Sequence, residues 1–325
     1  NDVRHMPTVV LDHDHSSRSR DFVRAMEVTG YYDVVGHVRS YDEVERAFRA
    51  GRAKVAVVFP EGYGEDVSAR RGGTIQVIVD GSDPQTVASA TSTAASLAAD
   101  SGARLSSAPI TPLIGTAPTV WYNPELRTAI FVVPGIIGVI LTMTMVMLTS
   151  MAIARERERG TLEALIVSPV RGYELMIGKL LPYVAVGYVQ VTLILAAGHV
   201  VFEVPFRGSL PLLYALSFVF IAANLALGLV FSTLAATQQQ AMQMSFFFLL
   251  PNILLSGFAF PWEGMPRPAQ LLSELLPLTH YLRIVRGITL KGAEFGDVSL
   301  ELLSMTMILV GFVTLASLRF RKKLV

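Results

Sequence analysis

The sequence predicts an α-helical polytopic membrane protein with an N-terminal α/β domain. Three observations carry that expectation. Of 325 residues, 52% are hydrophobic and only 16% are charged, with a mean hydropathy of +0.49. That is too apolar for an ordinary soluble domain. The apolar residues are unevenly placed: long apolar runs dominate after Arg127, whereas short strand-like and helix-like segments alternate before it. Charge divides at the same point, with 13 basic against 16 acidic residues up to Arg127 and 14 against 10 from Thr128 onward. Residues 1–127 are therefore read as a water-soluble α/β domain and 128–325 as the transmembrane domain.

In the first part, Met6–Asp14, Tyr31–Val38, Lys54–Phe59 (KVAVVF) and Thr74–Val79 (TIQVIV) read as strands. Ser17–Thr29 and Tyr41–Ala50 read as helices. Strands alternating with helices indicate an α/β domain. The turn Asp80-Gly81-Ser82-Asp83-Pro84 leads into a long helix from Pro84 to about Leu105, rich in Ala, Ser and Thr. Ser106–Asn123 contains or borders Pro109, Pro112, Pro118 and Pro124, and reads as an extended connector.

The second part holds five apolar segments, at about 128–153, 180–202, 210–235, 241–260 and 300–318. Each is long enough for a helix of about 20 residues to cross a hydrocarbon core, the fourth marginally. Pro251 kinks the fourth. Between the first two lies 155–179, the most polar stretch of this part. It carries Arg155, Arg157, Arg159, Arg171 and Lys179, which place it in the cytoplasm by the positive-inside rule. Within it Thr161 is an N-cap, Glu163 favours the positive helix end, Leu162, Leu165 and Ile166 share one face, and Pro169 ends the helix. The tail Arg319, Arg321, Lys322 and Lys323 is also basic, hence inside. Five spans counted back from an inside C-terminus put residues 1–127 outside. A domain outside must be carried across, so a further span is expected before Asn1, making six in the full-length protein. The outer loop is expected to hold interfacial helices over 266–290. In the second of these His280, Arg283 and Arg286 recur beside an apolar stripe of Tyr281, Ile284, Val285 and Ile288. Their charges suit lipid headgroups, and a role at a cargo exit is the alternative.

Several chemistries lack support. Gly172–Lys179 departs from a phosphate-cradling G-x-x-x-x-G-K-[ST] loop by one residue between its glycines and by Leu180 after the lysine. The spans carry few ionisable groups for an ion-coupling relay, with His199 and Glu301 near span ends and Asn224, Gln243 and Asn252 as helix-joining polar groups. Asp12-His13-Asp14-His15 has metal-ligand residue types, but on a strand its histidines and aspartates face opposite sides, so a strand end leading into a helix cap is preferred. Neither H-E-x-x-H nor G-x-S-x-G occurs. No cysteine is present for disulfides or thiolate sites, and a net charge of +1 gives no basis for a nucleic-acid partner.

The run Glu156-Arg157-Glu158-Arg159-Gly160-Thr161-Leu162-Glu163, continuing through Ser168-Pro169-Val170 and Gly178-Lys179-Leu180-Leu181-Pro182, resembles the signature of ABC type-2 transporter permeases. Pro277-Leu278-Thr279-His280-Tyr281 with Arg286-Gly287 and Lys291-Gly292, and Phe131-Val132-Val133-Pro134-Gly135, resemble the same family. The inserted α/β domain is similar to its bacterial multidrug-export branch. The resemblance implies a half-transporter in the bacterial inner membrane, paired with a second permease subunit, identical or related. It also implies cytoplasmic ATPase subunits, which hold ATP and Mg²⁺ while this chain binds no cofactor. A periplasmic accessory protein can join them. Residues 155–179 would be the ATPase-coupling segment: Arg155, Glu156, Arg157, Glu158, Arg159 and Gly160 lead into Thr161, Leu162, Glu163, Leu165, Ile166 and Pro169. Their charges suit a charged partner surface and their leucines an apolar groove. The cargo implied is an amphipathic, drug-like molecule. A lipid or lipid-linked glycan exporter is the alternative, and a membrane sensor with an extracytoplasmic ligand-binding domain is the reading from a different class.

Overall fold

The computed structural model describes residues 3–105, 113–160 and 172–321. The chain divides into two compact units, 1–131 with 261–265, and 132–260 with 266–325.

The first unit is a five-stranded sheet with helices. Its elements are β1 (Met6–Asp12), α1 (Ser17–Val28), β2 (Tyr32–Val38), α2 (Tyr41–Arg49), β3 (Val55–Phe59), α3 (Tyr63–Ser68), β4 (Gly73–Asp80), α4 (Pro84–Leu105) and β5 (Ile114–Trp121). The strand order is β2-β1-β3-β4-β5. All neighbours are parallel except β3 and β4. All five residues of β3 are buried, as expected for an uninterrupted apolar run inside a mainly parallel sheet. One sheet face packs on α1, α3 and α4; Phe22, Met26, Tyr63 and Val67 meet Val10, Val57, Phe59 and Val77 there. The small residues of α4 bury Ala90, Ala94 and Ala98 at helical spacing against this core. The other face packs on α2 through Val44, Ala47 and Phe48.

The extended connector expected over Ser106–Asn123 is corrected in its second half. Residues 114–121 form β5, paired in parallel with β4 from Gly73↔Ile114 to Asp80↔Trp121. Proline is tolerated at Pro118 because β5 is the last strand of the sheet and one of its edges needs no partner. The short helix α3 was also not expected. The aspartate–histidine run forms the turn between β1 and α1. Asp12 Oδ1 accepts from the Asp14 and His15 amides at 3.0 Å, and its Oδ2 accepts from Ser19 Oγ at 2.7 Å. Ser16 caps α1 by accepting from the Ser19 amide.

The second unit is helical. It comprises α5 (Thr128–Glu158, whose first residues lie in the first unit), α6 (Gly172–Val200), α7 (Leu210–Leu234), α8 (Gln238–Leu255), α9 (Arg267–Ser273), α10 (Pro277–Lys291) and α11 (Phe295–Arg321). Among the described residues four helices are long and apolar enough to cross a membrane: Thr128–Glu158, Gly178–Val200, Leu210–Leu234 and Phe295–Arg319. The fourth expected segment, 241–260, differs. It is helix α8, which stops at Leu255, begins with three glutamines and contains Pro251. Its 18 residues rise about 27 Å, marginal for a hydrocarbon core of about 30 Å.

The most enclosed span is α7, with 72% of its apolar window buried, against 11% for α6 and for α11. Leu300, Leu303, Met307 and Val310 of α11 form one exposed stripe, the face a span offers to lipid. Glycines let α5 approach its neighbours closely. A Cβ at Gly138 would lie 2.5 Å from Leu278 Cδ1 of α10. Such close approach is how helices associate where no water drives them together.

Helix α10, within the 266–290 stretch expected to hold interfacial helices, packs against the rest of its unit. Thirteen of its fifteen residues are buried. Leu278, Tyr281, Leu282, Ile284, Val285 and Ile288 share one core with Ile137 and Leu141 of α5, Phe220 of α7 and Met305 of α11. The amphipathic pattern is real, and two residues of its polar stripe, His280 and Arg283, pair with Glu274 and Glu301.

Candidate functional site

Two features of the second unit bear on function: the charged end of α5 and a groove between α5 and α8. The helix α5 ends at Glu158, and Gly160 follows with φ +67, the left-handed conformation that closes many helices. Its last turn is fastened to the ends of two other helices and to a lysine within a third. Arg157 Nη1 donates to the carbonyls of Ser232 and Ala235 at 3.0 and 2.7 Å. Those are among the last carbonyls of α7, which lack partners within the helix and carry its negative dipole end. One residue on, Glu158 Oε1 accepts from the Gln238 amide at 3.0 Å, and Oε2 accepts from Gln238 Nε2 at 2.6 Å. Gln238 is the first residue of α8, where a carboxylate meets unpaired amides and the positive dipole end. Arg155 Nε completes the contact by donating to Gln238 Oε1 at 3.1 Å. Glu156 pairs with Lys179 of α6.

The uncharged Ala236–Gln240 stretch is thus the receiving half of this cluster. It carried a usable signal, because Thr237 and Gln240 have the spacing of a capping box. Thr237 Oγ1 accepts from the Gln240 amide at 3.1 Å, and Gln240 Oε1 accepts from the Ala236 amide at 2.7 Å. Of the sequence-derived coupling residues, the structure gathers Arg155, Glu156, Arg157 and Glu158 into one cluster and leaves Arg159 and Gly160 exposed beside it. Thr161, Leu162, Glu163, Leu165, Ile166 and Pro169 lie outside the described residues.

The groove has a volume of about 450 Å³ and is lined by Met143 and Met147 of α5 with Met242, Gln243, Ser245, Phe246 and Phe247 of α8. That size falls in the range of small-molecule sites. Methionine thioethers and aromatic rings give an adaptable apolar wall, and Gln243 adds a polar group. Ser150 and Ser245 join the two helices beside it, with their Oγ atoms 3.0 Å apart. The other polar residues noted in the spans differ in use. Asn224 Nδ2 donates to Phe220 O of its own helix, whereas Asn252 Oδ1 is buried with no partner among the described residues.

The charged residues of α10 form a separate cluster. His280, only 2% exposed, has Nδ1 2.6 Å from Glu301 Oε2 of α11 and Nε2 3.0 Å from Glu274 O. Burial pushes its imidazole down, and the contacts to Glu301 and Glu274 outweigh burial, so its pKa stands above the ordinary value. Arg283 reaches Glu274 at 2.6 Å and Glu301 at 3.2 Å. Tyr281 stacks on Phe220 with centroids 4.0 Å apart, and its hydroxyl lies 2.9 Å from Ser217 Oγ. Arg286 Nη1 donates to Gly257 O, two residues past the end of α8, at 3.1 Å. Beside it a Cβ at Gly135 would lie 2.4 Å from Phe258. The Pro134-Gly135 and Arg286-Gly287 motifs, distant in sequence, therefore meet at that end of α8.

These features define a multi-pass helical membrane protein whose helices are tied to one another at a charged end and frame an apolar groove. The chain belongs to the ABC-2 transporter family: the model described as ABC-2 family transporter protein matches residues 1–318. It is similar to the probable multidrug ABC transporter permease YbhR of Escherichia coli (strain K12), at 30% identity over 325 residues, covering 99% of this chain and 88% of that protein. The probable multidrug ABC transporter permease YbhS of the same strain is 29% identical over 97% of this chain and 85% of its own length. ABC transporter G family member 20 of Dictyostelium discoideum is 27% identical over 214 residues, which are 65% of this chain and 29% of that protein. The chain is a permease-type membrane subunit.

Proposed function

We propose that the chain is the membrane half of an ATP-driven exporter in the bacterial inner membrane and moves amphipathic, drug-like molecules outward. Two permease subunits pair, and separate ATPase subunits bind residues 155–179 on the cytoplasmic side and hold ATP and Mg²⁺. The observation that carries this reading is the groove of Met143, Met147, Met242, Phe246 and Phe247, with Gln243 in its wall. It offers deformable apolar contact with one polar group, which suits an amphipathic cargo of varied shape. Membership of the ABC-2 family and the printed names of the bacterial relatives support the same class.

Purification from the native membrane in mild detergent, with ATP hydrolysis assayed on what accompanies the chain, tests the partner. A stoichiometric ATPase subunit that is lost when Leu162, Leu165 and Ile166 are made polar is the expected result. A chain that purifies without an ATPase, under conditions that keep other transporter complexes together, would overturn the reading. Efflux of a lipophilic cationic dye tests the cargo class. Replacing Met242 and Phe246 with serine is expected to lower it severalfold with the complex intact, and unchanged efflux would remove the groove from the pathway.

A further inference from the structure

The last turn of α5 grips both sides of a tight turn. Arg157 holds the final carbonyls of α7, Glu158 holds the first amide of α8, and only Ala235–Thr237 separates the two helices. Consecutive residues on a helix point about 100° apart, so one turn of α5 can hold two different elements at once. The groove wall begins almost immediately: Met242, Gln243, Ser245 and Phe246 lie within the first nine residues of α8. On the other side, Thr161 begins three residues after Glu158.

We propose that Glu158 is a positioning residue that transmits displacement of the 155–179 segment to α8 and hence to the groove wall, with Arg157 carrying α7 along. This inference rests on the exporter reading above. The contact is suited to transmission because Glu158 engages both the backbone and the side chain of Gln238, and Arg155 holds that side chain from a second direction. Backbone engagement moves the helix itself, whereas contact with a side chain alone can be absorbed by rotation about its bonds. The α7–α8 turn is closed by hydrogen bonds of Gln240 with Thr237 and with the Ala236 amide, so it moves as a piece.

The test measures dye transported per ATP hydrolysed by the purified complex of permease and ATPase subunits in vesicles. Glu158→Ala is expected to lower that ratio about tenfold, the factor commanded by one charge-assisted hydrogen bond. Gln238→Ala, which leaves the contact to the backbone amide, is expected to lower it less. The double variant is expected to match Glu158→Ala alone, because the two residues act as one link. A contact that only stabilises the fold would lower transport and hydrolysis together, in step with the amount of complex. A wild-type ratio in Glu158→Ala, or such a parallel fall, overturns the inference. Should Glu158→Ala not assemble, Glu158→Gln decides, since it keeps an acceptor for the Gln238 amide and drops the charge. A severalfold lower ratio supports transmission, and an unchanged one overturns it. A wild-type chain that brings no ATPase overturns the exporter reading and this inference together. A working wild-type complex with an unchanged variant ratio overturns this inference alone.

Discussion

Arg157 Nη1 donates to two carbonyls of another helix, Ser232 O at 3.0 Å and Ala235 O at 2.7 Å. A charged donor on carbonyls that have no partner within α7 contributes more than a neutral surface contact. Arg157→Ala is expected to cost about 1–3 kcal/mol. The measurement is the apparent thermal midpoint of the purified protein in detergent. Arg157→Lys should recover part of the loss, because an ammonium keeps the charge at the helix end and gives up the fork geometry. Equal midpoints for all three proteins would show that the contact is dispensable for stability.

Tyr281 combines a stack on Phe220 with a hydroxyl contact to Ser217. Ser217 also donates to Leu213 O at 2.7 Å, so it keeps one partner if the tyrosine hydroxyl is removed. Tyr281→Phe is therefore expected to cost only about 1 kcal/mol. Tyr281→Ala empties a fully buried ring site and is expected to cost about 3–5 kcal/mol. The ordering of the two midpoints checks whether the ring or the hydroxyl matters more.

The His280 cluster predicts a pH dependence of stability with a definite sign. Its folded pKa lies above the ordinary 6.5 because contacts to Glu301 and Glu274 outweigh burial. A group raised in the folded state contributes fully below its unfolded value and loses that contribution as pH climbs through the folded value. The midpoint of the wild type should fall as pH is taken upward from 6.5, and the fall should shrink in His280→Gln. Glu274, Arg283 and Glu301 face the same imidazole, so the comparison is made against the variant rather than against an ideal curve.

Gly228 sits where α7 meets α5. A Cβ there would lie 2.7 Å from Thr149 Cβ and 2.8 Å from Val146 O. The second neighbour is backbone and cannot rotate away, so Gly228→Ala must push the helices apart. The expected cost is about 1–3 kcal/mol, seen as a lower thermal midpoint. An unshifted midpoint would mean that the two helices part at this crossing without cost.

The parts of the fold read well from sequence are those where local pattern and final environment agree. The runs Lys54–Phe59 and Thr74–Val79 become β3 and β4 because a central strand buries both faces and admits uninterrupted apolar residues. Apolar length alone identifies α5, α6, α7 and α11. β5 was not legible because prolines dominated the local reading, and only the pairing partner β4 makes Ile114–Trp121 a strand. In α10 the periodicity is legible and its partners are not: a polar stripe that suits headgroups suits equally well two half-buried glutamates on neighbouring segments. In the candidate site, the basic and acidic run from Arg155 was visible at once. Its partner at Gln238 was not, since an uncharged glutamine stretch carries no charge signal.

The division between the two kinds of knowledge is physical. Composition and periodicity by themselves determined the membrane class, the N-terminal α/β domain, the main spans and the charged segment near 155–179, because each depends on residues near one another in sequence. Only the tertiary structure decided which helix ends Arg157 and Glu158 hold, that α10 is enclosed by the bundle, and that Met143 and Phe246 share a groove. Those facts depend on pairs of residues some 80 or 100 positions apart in sequence. Their meeting follows from how whole helices pack, which no local window of sequence contains.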